Sequence, residues 1–312
     1  MHVTILGAGA FGTALASVLE TNRHSITFYD PLKHPDLSLA ATLRSADVLI
    51  FAAPSSAAPD LLRQLPEQSR SLPLILASKG FWSLAPFEAI FGDRLSLLSG
   101  PAFATDLKNH KKTTLTATSP LVRELFAAPY LSFDSTSDRL GVALCGTLKN
   151  IYAIFAGLVH LEQGTSDCRT FINYSLREMK SILRANSCDP ATADLACGYG
   201  DLSLTATSPT SRNYQYGASL AAHPSAEQSS EKPRSSSSKK QSFFERDDAG
   251  FSVLQSKTDK SRDNTEQNRT KLANPTLEGL SALDSLKSSP ITIPSNLKIF
   301  NTILERTDHA QQ

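Results

Sequence analysis

Cysteine is scarce in this chain of 312 residues. The four present, Cys145, Cys168, Cys188 and Cys197, form no C-x-x-C pair and stand with no histidine cluster. That spacing argues against a zinc site and against a disulfide framework, and a reducing, cytoplasmic setting fits it best. Net charge is also lacking. Lys and Arg number 31 against 30 Asp and Glu, leaving +1, so the bulk charge draws the chain toward neither nucleic acid nor an anionic membrane. Nor is there a long apolar run: Ile151 to Leu161 falls short of the about 20 residues that cross a bilayer and reads as a core helix. The opening residues, M-H-V-T-I-L-G-A-G, carry no basic leader and no cleavage signal, and read as a strand entering a glycine loop.

The length suggests roughly two domains of ~150 residues. Short β-rich runs at Val3 to Leu6, Ile26 to Tyr29, Val48 to Ala52, Leu74 to Ala77, Leu95 to Leu98 and Thr113 to Ala117 alternate with helical stretches such as Ala10 to Glu20. This alternation predicts a parallel, doubly wound α/β sheet. From about Asp138 the period turns helical, with Leu144, Leu148, Ile151, Ile154, Phe155 and Leu158 at spacings of three and four. The expected organisation is a dinucleotide-binding domain over 1–137 and a helical domain over 138–312. Residues 221–273 interrupt the second: 11 serines, 10 Lys and Arg and 8 Asp and Glu fall in 53 residues. Such a composition buries too little apolar area to offset chain entropy, so disorder is expected there. Order is expected to return at Pro275, with closing helices at Leu277 to Leu286 and Leu297 to Leu304.

Gly7, Gly9 and Gly12 spell G-A-G-A-F-G between the first strand and the first helix. The first glycine permits the tight turn, the second admits a pyrophosphate to the backbone, and the third lets helix and strand pack closely. The helix start offers free N–H groups and a positive dipole end. Alone the pattern is weak, but its strand–loop–helix context and the acidic Asp30 after the second strand point to a nicotinamide dinucleotide. A carboxylate there accepts from ribose hydroxyls and repels a 2′-phosphate, which leans the expectation toward NAD over NADP. Lys33 and His34 follow closely, and Asp30 also opens an Asp-Pro turn.

Further motifs are S-K-G at 78–80, S-G-P-A-F-A at 99–104, G-T-L-K-N at 146–150, and G-Y-G-D-L…S-R-N, over 198–202 and 211–213. In this order and spacing the chain resembles the bacterial NAD(P)-dependent glycerol-3-phosphate dehydrogenases, over residues 1 to about 220 and again from 275 to about 305. The resemblance implies reversible reduction of dihydroxyacetone phosphate to sn-glycerol 3-phosphate, in supply of glycerophospholipid synthesis. It implies Lys149 as the acid/base, with Lys79 touching both substrate and nicotinamide and Asp201 in the substrate pocket. Gly100, Ser211, Arg212 and Asn213 complete the substrate contacts, the last three around the phosphate. Ala10 and Phe11 in the glycine loop, Ala104, Glu278 and again Lys79 and Arg212 are the implied cofactor contacts. Two positions depart from the family: Ala102 stands where a Ser or Thr is usual, and Asp167 where Asn is common.

These residue types suit the chemistry. A lysine ammonium can protonate the oxygen that becomes a hydroxyl and can stabilise the oxyanion as it develops. Lys149 sits between apolar neighbours, Ala143-Leu144 and Ile151-Tyr152, and a buried lysine demands a reason. The Arg212 fork suits a phosphate. Asp201 has a plainer reading as the N-cap of a following helix. No metal is required. The expected partner is a small molecule, not nucleic acid, and a homodimer is the one oligomer kept open. Two other readings stand: a hydroxyacid-type dehydrogenase of the same layout, and a non-catalytic nucleotide-binding or interaction protein.

Overall fold

The computed structural model describes residues 1–161, 165–221, 244–247, 250–253, 278–286 and 288–311. Its centre is a seven-stranded sheet of β1 (His2–Leu6), β2 (Ser25–Tyr29), β3 (Val48–Phe51), β4 (Leu74–Leu76), β5 (Leu95–Ser99), β6 (Thr113–Ala117) and β7 (Leu131–Ser135), in the order β2-β1-β3-β4-β5-β6-β7. The order reverses between β1 and β3. Connections there leave toward opposite faces, and the crevice beyond the strand ends is where α/β sheets bind ligands.

One expectation is corrected here. The sheet is not wholly parallel: β5 and β6 run antiparallel, with Leu98 opposite Ala117 and Ser99 opposite Thr116. Every other pair in this sheet is parallel. The seventh strand, L-S-F-D-S, did not stand out in the sequence because it is half exposed at the edge and short of β-branched residues.

Helices cover both faces. Along β3, Val48 and Ile50 enter one core with Ala14, Leu15, Val18 and Leu19 of α1 (Ala10–Thr21). Leu49 and Phe51 enter the other, with Trp82, Phe87 and the long helix α7 (Arg139–Leu158). Between these come the short helices α2 (Leu39–Thr42), α3 (Ala58–Gln64), α4 (Ala85–Phe91), α5 (Ala104–Lys108) and α6 (Pro120–Leu125).

The apolar stretch is longer than its sequence suggested. The 20 residues of α7 reach the length and hydropathy of a membrane span, yet 94% of that window is buried inside the protein, so α7 is its core helix. Around it pack α8 (Ser166–Ala185), α9 (Asp201–Ala206), α10 (Arg212–Ala221), α11 (Glu278–Leu286) and α12 (Lys298–Gln311). α10 crosses α7 backbone to backbone, for a Cβ on Gly217 would lie 1.8 Å from the Ile154 carbonyl oxygen.

Within the span expected to be disordered, Phe244–Asp247 and Gly250–Val253 pair as an antiparallel hairpin, β8 and β9. The rest of 221–273 after Ala221 lies outside the described residues. All four cysteines are unpaired and buried. Burial, with Asp138 beside it, pushes the Cys188 thiol up to about 12, far from a reactive thiolate at neutral pH.

Candidate active site

At the reversal point the glycine loop takes the form its sequence requires. Gly7 has φ +115, and a Cβ there would lie 2.6 Å from the Ala53 nitrogen, at the end of the adjacent β3. A Cβ on Gly12 would meet the Gly7 carbonyl at 2.2 Å. Gly9 differs, because a Cβ there would meet nothing within 4 Å. No packing among the described residues demands that glycine, and the open space lies at the N-cap of α1, which has no side-chain cap and no acid in its first turn. An uncapped helix start facing a clear approach fits a pyrophosphate. Ala10 opens α1 and is exposed, and Phe11 is half-buried.

Asp30 is tied to this loop. Its carboxylate accepts from the backbone N–H of Ala8 at 2.9 Å and of Leu32 at 3.2 Å. The Lys33 ammonium donates to the Ala8 carbonyl, so the loop is gripped by one acid and one base. A carboxylate has about four acceptor positions, so these two bonds still leave capacity for a ribose hydroxyl.

Beyond the carboxyl ends of β4 and β5 the structure gathers Lys79, Lys149 and Asp201. Ser78 anchors the loop that carries Lys79, donating to the Ala53 carbonyl at 2.5 Å. The Lys79 ammonium meets one carboxylate oxygen of Asp201 and the Gly100 carbonyl at 3.3 Å. Gly100 lies at φ +151, and a Cβ there would come within 3.0 Å of Leu115. Lys149, 6% exposed in mid-α7, meets the other Asp201 oxygen at 3.2 Å. It also donates to the Thr205 hydroxyl at 3.0 Å, which in turn donates to Asp201 at 3.3 Å. Asp201 is therefore no N-cap: its side chain makes no capping bond and bridges two ammonium groups. Cations near a buried carboxylate compensate the cost of desolvating all three.

The S-R-N run starts α10 beside α7. Ser211 is buried and its hydroxyl accepts from the Tyr214 N–H at 3.4 Å. Arg212 is exposed, at the first position of the helix. Asn213 turns inward, donating to the Asn150 side-chain oxygen at 3.0 Å and accepting from the Gly279 N–H at 3.1 Å. It thus joins α7, α10 and α11. Glu278 heads α11, but its side chain lies outside the described residues. Ala104 heads α5 next to half-buried Ala102, and Asp167 lies in the first turn of α8. Among the described residues no group of three metal-ligating side chains converges.

Two contacts escaped the sequence reading. Asp134 on β7 accepts from the Ala196 N–H at 2.7 Å, and the Thr116 hydroxyl on β6 accepts from the Cys197 N–H at 3.0 Å. No local pattern signals either, since the partners lie 62 and 81 positions away.

Comparison with known proteins adds an independent finding. Residues 138–242 match a family model described as NAD-dependent glycerol-3-phosphate dehydrogenase C-terminus. The glycerol-3-phosphate dehydrogenase [NAD(P)+] of Pseudomonas entomophila is 31% identical over 257 residues, covering 70% of this chain and 75% of its own. That of Geobacter metallireducens is 32% identical over 261 residues, covering 70% and 78%. Among solved structures, the Coxiella burnetii glycerol-3-phosphate dehydrogenase superposes with a TM-score of 0.71 at 19% identity, covering 100% of this chain and 95% of that one. At that identity the superposition speaks to fold alone.

Proposed function

The chain belongs to the NAD(P)-dependent glycerol-3-phosphate dehydrogenase family, and from that membership we propose the roles its residues play in reducing dihydroxyacetone phosphate to sn-glycerol 3-phosphate. The observation that carries the proposal is the buried cluster Lys79–Asp201–Lys149, set beside the glycine loop at the carboxyl ends of the strands.

When bound, the nicotinamide supplies the hydride that reaches the central carbon. The chain supplies the rest. Lys149 holds a proton at Nζ for the carbonyl oxygen, and its positive charge stabilises that oxygen as negative charge grows there. Asp201 and Thr205 fix the ammonium in direction, because the Thr205 hydroxyl accepts from Lys149 while donating to Asp201. Lys79, on the other Asp201 oxygen, adds a second cation near the same point. The positive charge of Lys79, Lys149 and Arg212 draws in a phosphorylated substrate. Arg212 clamps the phosphate, for which an exposed guanidinium fork at a helix start is well suited. Ser211 and Asn213 complete the phosphate contacts, Asn213 with its amide already oriented by Asn150. Gly100 borders the substrate, and its carbonyl steadies Lys79.

The residues that would hold the dinucleotide are Gly7, Gly9, Ala10, Phe11 and Gly12 in the glycine loop, Asp30 for the adenosine ribose, Lys79 for the nicotinamide, and Ala104, Arg212 and Glu278 as further contacts. Asp30 favours NAD over NADP. The division into residues 1–137 and 138–312 is supported by the last strand of the main sheet ending at Ser135 and α7 starting at Arg139. A cytoplasmic setting, supply of glycerophospholipid synthesis and a homodimer complete the reading.

The direct test is oxidation of NADH, then of NADPH, by purified protein given dihydroxyacetone phosphate. Turnover with either supports the assignment. A folded sample inactive with both would falsify it.

A further inference from the structure

The antiparallel turn of β6 against β5 has a chemical effect. It sets Ser99 opposite Thr116, and the parallel pairing of β6 with β7 sets Thr116 opposite Asp134. Paired residues share a face of the sheet, so the three polar side chains form one row across three strands. The row faces the helical half. Ser99 Oγ would lie 3.4 Å from a Cβ on Gly146, and the Lys79 stem 3.3 Å from the same point. Thr116 and Asp134 take the first two N–H groups of the turn Ala196–Gly200.

That turn is one turn of π-helix and runs directly into α9, whose first residue is Asp201. π-Turns are rare and concentrate at functional sites. The Asp201 N–H donates to the Ala196 carbonyl, so one peptide chain segment is held by Asp134 at its amide and holds Asp201 by its carbonyl. A helix start left without partners would fray. Here the partners come from the sheet, not from the local sequence.

We infer that Thr116 and Asp134 are positioning residues for the acid/base centre: through the Ala196–Gly200 turn they fix Asp201, and through Asp201 the two lysines. This rests on the roles proposed above for Lys149 and Asp201. The sheet therefore does more than carry the dinucleotide. Its last two strands, β6 and β7, hold part of the helical half in register with the loop bearing Lys79. Neither residue touches the lysines, so their loss acts by displacement, and displacements near 1 Å can cost about 100-fold in rate.

The test compares T116V, D134A and the double variant with T116S and D134N, which keep the acceptor oxygens. Measured are kcat, the KM values for both substrates, the NADH dissociation constant and Tm. In the double variant kcat should fall about 10- to 100-fold, while NADH affinity stays within about twofold, because the hydrogen bonds removed go to the Ala196–Gly200 turn and not to the glycine loop. T116S and D134N should recover most of the rate. If the double variant does not fold, the single ones decide the question in the same way. Wild-type kcat in T116V and D134A, or T116S and D134N as slow as their counterparts, would overturn the inference. K149A separates the two levels. If K149A kept wild-type turnover, the reading of the site would fail. If K149A were dead while T116V and D134A ran normally, only the positioning inference would fail.

Discussion

Two buried carboxylates flank α7 and are used in opposite ways. Asp201, 1% exposed, sits between two ammonium groups and a hydroxyl. Glu178 on α8, 8% exposed, accepts from the Tyr152 hydroxyl at 3.1 Å and from the first N–H groups of α12, Ile299 at 2.8 Å and Phe300 at 3.1 Å. Burial pushes the Glu178 carboxyl above its ordinary range, although these hydrogen bonds pull the other way. Lys149 and Tyr152, which receive the two acids, stand three positions apart on one helix. The lesson lies in the partners. Ammonium groups, which can give up a proton, make a centre around a carboxylate that can redistribute charge, whereas fixed N–H dipoles make a joint. Neighbouring turns of α7 thus meet the carboxylate of the proposed reaction centre and the one that fastens the C-terminal helix.

The sharpest way to break this contrast is Lys149→Ala. General acid–base catalysis contributes about 10²–10⁴-fold, and the loss should fall on kcat with NADH affinity nearly unchanged. A variant retaining more than about a tenth of the rate would remove Lys149 from that role. Next in size, Arg212→Ala should cost about 1.5–3 kcal/mol in kcat/KM for dihydroxyacetone phosphate, and much less for unphosphorylated dihydroxyacetone. Equal losses for both substrates would show that Arg212 is no phosphate clamp.

At the Glu178 joint the response should appear in stability. Glu178→Ala strands the Tyr152 hydroxyl and the N–H groups of Lys298, Ile299 and Phe300 at the start of α12, at about 1–3 kcal/mol for each buried group. Tm should drop while kcat, measured well below the transition, stays close to wild type. A dead but stable variant would erase the distinction between joint and reaction centre. A smaller effect comes from pH. Because the Glu178 pKa is raised on folding, the folded chain holds that proton more firmly than the unfolded one. The contribution is fully present below 4.5 and is lost as pH rises through the raised value. Relative to Glu178→Gln, the wild-type Tm should therefore improve as pH falls through the raised value toward 4.5. A difference independent of pH would show that Glu178 is ionised throughout. The smallest change is expected at the exposed end of the crevice. Asp30→Ala should narrow the preference for NADH over NADPH by an amount worth about 0.5–1.5 kcal/mol, read from the two kcat/KM values. A preference that widens would point away from Asp30.

Much of the fold was legible because its signals are local. The strand at Val48 is apolar on both faces, and the glycine loop needs no distant partner to be recognised. The direction of β6 was not legible, since Thr113 to Ala117 has the same residue types whichever way it runs. Leu131 to Ser135 escaped notice because half of an edge strand faces water. At the site, Lys149 betrayed itself as a lysine in an apolar helix, but its ion pair with Asp201, 52 positions on, had no local signal. The inward turn of Asn213 depends on Asn150 and Gly279, 63 and 66 positions away. Thr116 and Asp134 carried no signal at all, because a threonine and an aspartate on strands are ordinary residues until the partner backbone is placed.

The chain contains a single tryptophan, Trp82, and it follows the loop that carries Lys79. Its indole N–H donates at 2.7 Å to the Ala282 carbonyl in α11, deep in the protein. The molecule thus has one built-in fluorophore at the seam between its first half and its closing helices. Its emission should be blue-shifted in the native state and move to longer wavelength when α11 lifts away, even if the rest of the fold persists. Because no other indole contributes, the spectrum reads that seam alone. Stopped-flow mixing with denaturant can time the opening of this seam against loss of far-ultraviolet circular dichroism without attaching a label.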